Sequence, residues 1–387
     1  CPGESNGIMA NLTLIGEPTL TANGIHFRRG TNGGIFNSII TEWASTGFRM
    51  QHDETFDNGV GAQPALYAPS SGGVSFDGNI LWNNNGGGAQ YDQTVYGAMS
   101  QTTEQFVNTY FTGNKVIDPL LDPNYNNGVA GPWRPQAGSP ALFDNNATPM
   151  RVSDLDDFFQ DRDHVGALSE DLSEDWTRNW IYTNLQGGLG RTDIDLALPI
   201  VNVTGDITTN TTWAAGSNYT LTGRIAVVAG ATLTIEPGVV VVGLVPGSYL
   251  VVERNGDIQA NGTETNPIIF TSGADFTVGD QAPGDWAGIV IHGRAVANCA
   301  AGGVVAGCNL TSTGNDCESE GGAGFFGGND DTDDSGRMIF VRSEYAGQEI
   351  SPNNELNAYT FYAVGSGTTL QFLQAHRGTD DLFEWFG

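Results

Sequence analysis

The strongest local candidate for chemistry is GGNDDTDDSG, whose Asp330, Asp331, Asp333 and Asp334 could offer carboxylate oxygens from one short, glycine-flanked turn. Hard oxygen donors on a flexible loop are what calcium takes. The spacing departs from the twelve-residue EF-hand loop, because no glutamate closes it. Two readings therefore stand, a calcium loop and a solvated acidic turn. Asp380, Asp381 and Glu384 in GTDDLFEW form a weaker second set.

Other site chemistries find less support. Cys299, Cys308 and Cys317 are each separated by eight residues, too far apart for the tight pairs that hold zinc. In an oxidising compartment Cys299 with Cys308 would staple a Gly/Ala-rich loop, leaving Cys317 for another partner, Cys1 among them; spacing leaves the pairing open. His26, His52, His164, His292 and His376 form no H-x-H or HExxH pair and read as turn or groove residues. There is no serine nucleophile elbow and no Walker loop, and GGAGFFGGN lacks the strand–helix setting of a nucleotide fingerprint. A polysaccharide lyase needs a base and positive charge against a uronate, yet Lys115 is the sole lysine. The eight tryptophans could stack on sugar rings, but as core or flank residues they need no such role. Seven N-x-T sequons, such as those at Asn202 and Asn261, are expected to arise by chance in an Asn- and Thr-rich chain.

Net charge narrows the partners. The chain carries 44 acidic and 15 basic residues, a net charge of −29, so nucleic acid and anionic membrane surfaces would be repelled. No apolar run is long enough to span a bilayer. Cys1 also suits a lipid-anchored mature N-terminus, although the residues after it look like the middle of a fold.

The elements that would position these residues are short strands. Gly is 54 of 387 residues, which favours turns over helices. Runs such as YTLTGRIAVV, ATLTIEPGVVVVG, YLVVERNGDIQANG and NPIIFTS alternate β-branched residues with Gly, Pro and Asn turns. IMANLTLIG, GIHFRRG, GIFNSIITEW, GFRMQ and VSFDGNILWNN do the same over 8–86. Ile339, Phe361 and Phe383 recur every 22 residues, about one coil of a solenoid whose rungs must stack to bury their apolar faces. Asn37, Asn79 and Asn255 sit where rungs turn and could hydrogen-bond along the axis. One helix is expected within Asp92–Asn108, a loop-rich excursion over 113–150, and an acidic, aromatic flank from Arg151 to Gln186.

These readings predict an all-β protein, a right-handed parallel β-helix with long loop excursions and a small helical flank. Its expected segments are rungs over 1–86, a helix- and loop-rich flank over 87–195, and rungs over 196–387 with an inserted Gly/Cys/Asp-rich loop near 295–336.

Residues 196–387, through GDITTNTTWAAGSNYTLTGRIAVVAGATLTIEPGVVVVG, GDWAGIVIHGRA and FFGGNDDTDDSGRMIFVRSEYAG, resemble the N-terminal half of a family of secreted bacterial β-helix surface proteins, often lipoproteins or cargo of Bacteroidota-type secretion. Residues 8–186, through NGIMANLTLIG, GIHFRRGTNGGIFNSIIT and DRDHVGALSEDLSEDWTRNW, resemble its C-terminal half, so the family's order is inverted. A permutation, a window of a tandem array and an incomplete chain each account for the inversion. The resemblance implies location and fold more than chemistry. The expected function is that of an extracellular structural or adhesive protein that self-associates head to tail, without enzyme activity. The alternative is a β-helix that binds or cleaves glycans.

Overall fold

The structure is a computed structural model. It describes residues 6–16, 22–28, 32–52, 55, 74–95, 100–122, 133–142, 151–155, 158–177, 179–182, 193–195, 197–277, 281–297, 317–351, 354–379 and 381–386. Two compact units emerge, Pro2–Arg178 and Asn179–Gly387.

In the first unit, β1 (Asn6–Ala10), β2 (Thr13–Ile15) and β3 (Ile25–Arg28) make one rung, and β4 (Asn32–Phe36), β5 (Ile39–Thr41) and β6 (Phe48–Gln51) the next. β7 (Val74–Asp77) and β8 (Ile80–Trp82) continue the stack, and β9 (Lys115–Val116) pairs with β8. Every pairing among these strands is parallel. Between the first two faces the chain turns on single left-handed residues, Asn11, Asn37 and Gly78. A one-residue corner requires positive φ, which glycine adopts freely and asparagine better than most. The next position carries a buried ladder. Asn79 accepts from Ser38 N–H at 2.9 Å and donates to the Ile35 carbonyl at 3.0 Å, and Asn114 donates to the Phe76 carbonyl. Asn37 and Asn79 thus stand at rung corners, as expected, and so does Asn255, whose φ is 63°.

The core of this unit is a column containing Phe48 and Phe76, whose rings stack at 4.0 Å. It is closed below by α1 (Thr103–Tyr110), which buries Phe106 and Val107 against it. The expected helix exists but starts later than Asp92, because Thr102 and Gln105 form a reciprocal capping box. β10 (Leu121–Asp122) and β11 (Arg134–Pro135) form a small antiparallel pair in the excursion.

The second unit coils around three faces. β12 (Ile200–Val203) and β13 (Thr211–Trp213) open it; β14 (Asn218–Leu221), β15 (Arg224–Val227) and β16 (Thr232–Ile235) complete a rung. β17 (Val240–Gly243), β18 (Tyr249–Val252) and β19 (Asp257–Asn261) form the next, followed by β20 (Ile268–Ser272) and β21 (Gly288–His292), with α2 (Ala274–Thr277) between them. An excursion carries the antiparallel pair β22 (Cys317–Glu318) and β23 (Phe325–Phe326). β24 (Gly336–Glu344) then bends from the third face onto the first. The hairpin β25 (Gln348–Ser351) and β26 (Asn354–Leu356), then β27 (Tyr359–Tyr362), β28 (Thr369–His376) and β29 (Phe383–Phe386) complete the column. All ladders along the three faces are parallel, so the fold is the expected all-β parallel helix.

β24 and β28 bend at Phe340 and Phe372, both with positive φ. Their rings stack at 4.4 Å, and buried Trp180 meets both edge-on. Bulky residues strain in this conformation, and the stacked rings and Trp180 supply the compensating contacts. The inward residues, among them Leu221, Val241, Phe270 and Val341, form one continuous core.

The 22-residue interval holds from Asn218 to Val240. It fails for the residues that first suggested it. Ile339 lies on the third face, Phe361 on the second, and Phe361 aligns with Trp385, not Phe383. Excursions inserted at the corners lengthen the interval, to 70 positions between Ile289 and Tyr359. A rung conserves its strands and not its loops.

Candidate functional site

Arg294, two residues beyond β21, organises the acidic turn. Its Nε donates to Asp333 Oδ1 at 2.8 Å, its backbone N–H to Asp333 Oδ2 at 2.9 Å, and its Nη2 to Asp330 Oδ2 at 3.0 Å. Asp330 Oδ1 accepts from Thr332 N–H and hydroxyl, Asp331 from Val296 N–H, and Asp334 from Gly336 N–H. The Thr332 hydroxyl and N–H, with Arg294, hold the Asp330 carboxyl below the usual carboxylate range. Asp333 and Asp330 in turn raise Arg294 further, keeping it charged. The four aspartates are therefore neighbours, each turned to donors of its own. Among the described residues no three His, Cys, Asp or Glu side chains are grouped to hold a metal ion. Gly365 packs here, since a Cβ would stand 2.5 Å from Asp333 N.

Of the second acidic set, Asp380 lies outside the described residues. Asp381 N–H donates to Asn357 Oδ1 at 3.0 Å, and Asn357 Nδ2 donates to Glu384. Cys1, Cys299 and Cys308 also lie outside the described residues. Cys317 is fully buried in β22, and no described cysteine is free.

A buried ion pair lies on the outer side of the first face. Arg342 Nε stands 3.0 Å from Glu344 Oε1, with the side chains 3% and 0% exposed. Arg342 also donates to the Trp180 carbonyl at 2.9 Å and to Asp193, and lies 5.7 Å from the centre of the Tyr182 ring. Gln374 exchanges hydrogen bonds with the Tyr182 backbone, and Trp286 Nε1 donates to the Glu344 carbonyl. Burial, with hydrogen bonding to Tyr182, raises the Tyr345 phenol, which stays protonated. Arg342 offsets the buried charge of Glu344 and also meets Asp193, and the group fastens 179–182 to the sheet. Of the stretch from Arg151 to Gln186, residues 179–182 belong to the second unit, where Trp180 meets the Phe340–Phe372 corner.

His292 does not occupy the turn or groove expected for it. It ends β21, fully buried, with rings of Phe326 and Tyr362 at 6.3 and 5.4 Å. Among the described residues neither ring nitrogen has a hydrogen-bond partner. Burial above all, then the charges of Arg224 and Arg254, push its pKa down to about 3, so the imidazole is neutral. No periodicity marks this residue; the alternation of GIVIH, with Ile289 and Ile291 inward, could have placed it outward.

The last rung is partly open, as is β12 at the other end of the column, where Ile200 and Val201 are exposed. Leu370, Leu373, Ala375 and Phe383 point at the core but are only partly buried, whereas Met338, Val341 and Tyr359 beside them are fully buried. Phe361 is 2% exposed and its aligned neighbour Trp385 61%. Tyr359 stacks on Phe383 at 5.0 Å and Tyr362 on Phe386 at 4.6 Å, so an aromatic file ends at this surface.

No helix among the described residues is long and apolar enough to cross a membrane. No curated protein and no solved structure matches the chain. Residues 205–387, which hold every strand of the second unit after β12, match the family described as a pectate-lyase like beta helix domain, which points to a polysaccharide-related or surface protein.

Proposed function

We propose that the chain acts outside the cell as a structural or adhesive surface protein, and that copies extend one another head to tail at the last rung. What supports this is the match of residues 205–387 to a β-helix domain, together with a column of parallel rungs in which each rung's apolar side chains are buried by its neighbours. A sheet margin with an apolar face is a template for a further strand. The reading of the two units as reversed halves of one family belongs to the same proposal; the single left-handed corner residues in both units support it.

The test is electron microscopy with sedimentation across protein concentration. Wild type should form end-to-end chains that Leu373→Glu and Trp385→Glu abolish, while dispersed monomers at high concentration would overturn the proposal. With a net charge of −29, association should strengthen with salt.

The family match favours a second reading, a β-helix that binds or cleaves a polysaccharide. Glycan-array binding and release of reducing ends would reveal it, and turnover without assembly would reverse the order of the two readings. Calcium at Asp330, Asp331, Asp333 and Asp334 is part of the proposal and would have to displace Arg294. A calcium-dependent rise in Tm that Asp333→Asn removes would establish the ion; no rise would leave the turn as an ion-paired latch. For the cysteines we propose that Cys299 and Cys308 staple their loop and that Cys317 bonds another partner, Cys1 among them; burial of Cys317 supports a bonded state, and mass under non-reducing digestion reads out the pairing.

A further inference from the structure

The hairpin of β22 and β23 lies over the outer side of the second face. Cys317 pairs with Phe326 and Glu318 with Phe325, and Ser319 N–H donates to the Gly324 carbonyl. Among the bonds that fasten the hairpin and the residues after it are Glu320 N–H to the Tyr362 hydroxyl at 3.1 Å, Arg254 Nη1 to the Gly327 carbonyl at 3.0 Å, Gly327 N–H to the Gly293 carbonyl and Gly328 N–H to the Ala295 carbonyl. Ala323 and Phe326 of the hairpin share an apolar layer with Val290 and Tyr362 beneath it. His292 is set in that layer. Gly324 passes so close that a Cβ there would lie 3.1 Å from His292 Cε1, and its φ of +146° suits only glycine.

An imidazole buried with neither nitrogen hydrogen-bonded is costly, because both polar atoms give up water for nothing. An apolar ring would fill the same space at lower cost. What the imidazole alone offers is a site for a proton. The charges that act on it are those of Arg224 on β15, itself paired with Glu253 and Asp206, and Arg254 after β18. The Tyr362 ring on β27 lies 5.4 Å away, Tyr249 on β18 lies beside Arg224, and Glu318 and Glu320 are the acids of the hairpin. Both arginines oppose a positive ring.

We propose that the 317–326 hairpin is a cover released by acid: His292 takes a proton from solvent, cannot hold the charge under the hairpin, and drives it off the second face. This needs no association between copies. In the closed state the imidazole titrates at about 3 against an ordinary 6.5, and opening restores the ordinary value. Closure therefore has its full strength above pH 6.5, and weakens as pH falls toward 3.

The test is hydrogen exchange by mass spectrometry on peptides spanning 317–327, at pH 7.5 and 5.5, corrected for intrinsic exchange. Linkage gives roughly tenfold more opening at pH 5.5 in wild type. This window lies above the titration of most carboxylates. His292→Phe and His292→Gln should stay closed at both pH values, and either variant suffices if the other fails to fold. Peptides from β14 to β18 serve as the internal control. A tenfold response retained in either variant, or protection lost in parallel along the whole column, would overturn the proposal.

Discussion

Arg342 and Glu344 are two positions apart on β24 and so share one side of the strand, the side turned away from the core. Each would be intolerable alone, because a buried charge without its partner keeps its desolvation cost. Arg342→Leu is expected to destabilise the second unit by about 3–5 kcal/mol in urea unfolding, whereas adding Glu344→Leu should recover most of that loss. The two residues are visible in the sequence, but nothing there says they are covered. Trp180 and Tyr182, more than a hundred residues away, do the covering. The acidic turn shows the same limit: its four aspartates are plain in GGNDDTDDSG, but Arg294, which gathers two of them, lies 36 positions earlier than Asp330.

At the scale of elements, rung starts demand glycine where two backbones meet. Gly288 opens β21 with φ +115°, and a Cβ there would stand 1.9 Å from the Asn357 carbonyl oxygen. Gly336, opening β24, faces the Ile258 carbonyl oxygen at 2.0 Å in the same way. Gly288→Ala should cost at least about 2–3 kcal/mol, from strain at positive φ and displacement of β27, read as a fall in Tm. The strands themselves were legible: every apolar run from YTLTGRIAVV to NPIIFTS is a strand or a pair of strands. The interval between rungs was not, since corner excursions carry no apolar period and alter the count without disturbing the stack.

For the whole molecule, 44 acidic against 15 basic residues mean that folding gathers like charge onto one surface. Raising ionic strength from about 10 to 300 mM shortens the screening length from about 30 Å to less than 8 Å, so Tm should rise with sodium chloride, as calorimetry would record. A variant with several exposed acids changed to glutamine should lose much of that rise. The open last rung and the hairpin over His292 belong to this scale too, since both concern apolar surface that is only partly or weakly covered.

Local pattern alone marked the short strands and the Gly and Asn turns between them, a pattern that sandwiches and barrels share; the parallel pairing is what makes it a solenoid. Local pattern also placed Asn37, Asn79 and Asn255 at corners; Asn37 and Asn255 are themselves left-handed, and Asn79 follows the left-handed Gly78. Tertiary structure alone decided which residues stack, that Phe361 meets Trp385 and not Phe383, and that His292 lies under a hairpin with both nitrogens unsatisfied. The reason is physical. Strand character follows from neighbours in sequence, whereas register and burial depend on segments that excursions of any length bring together.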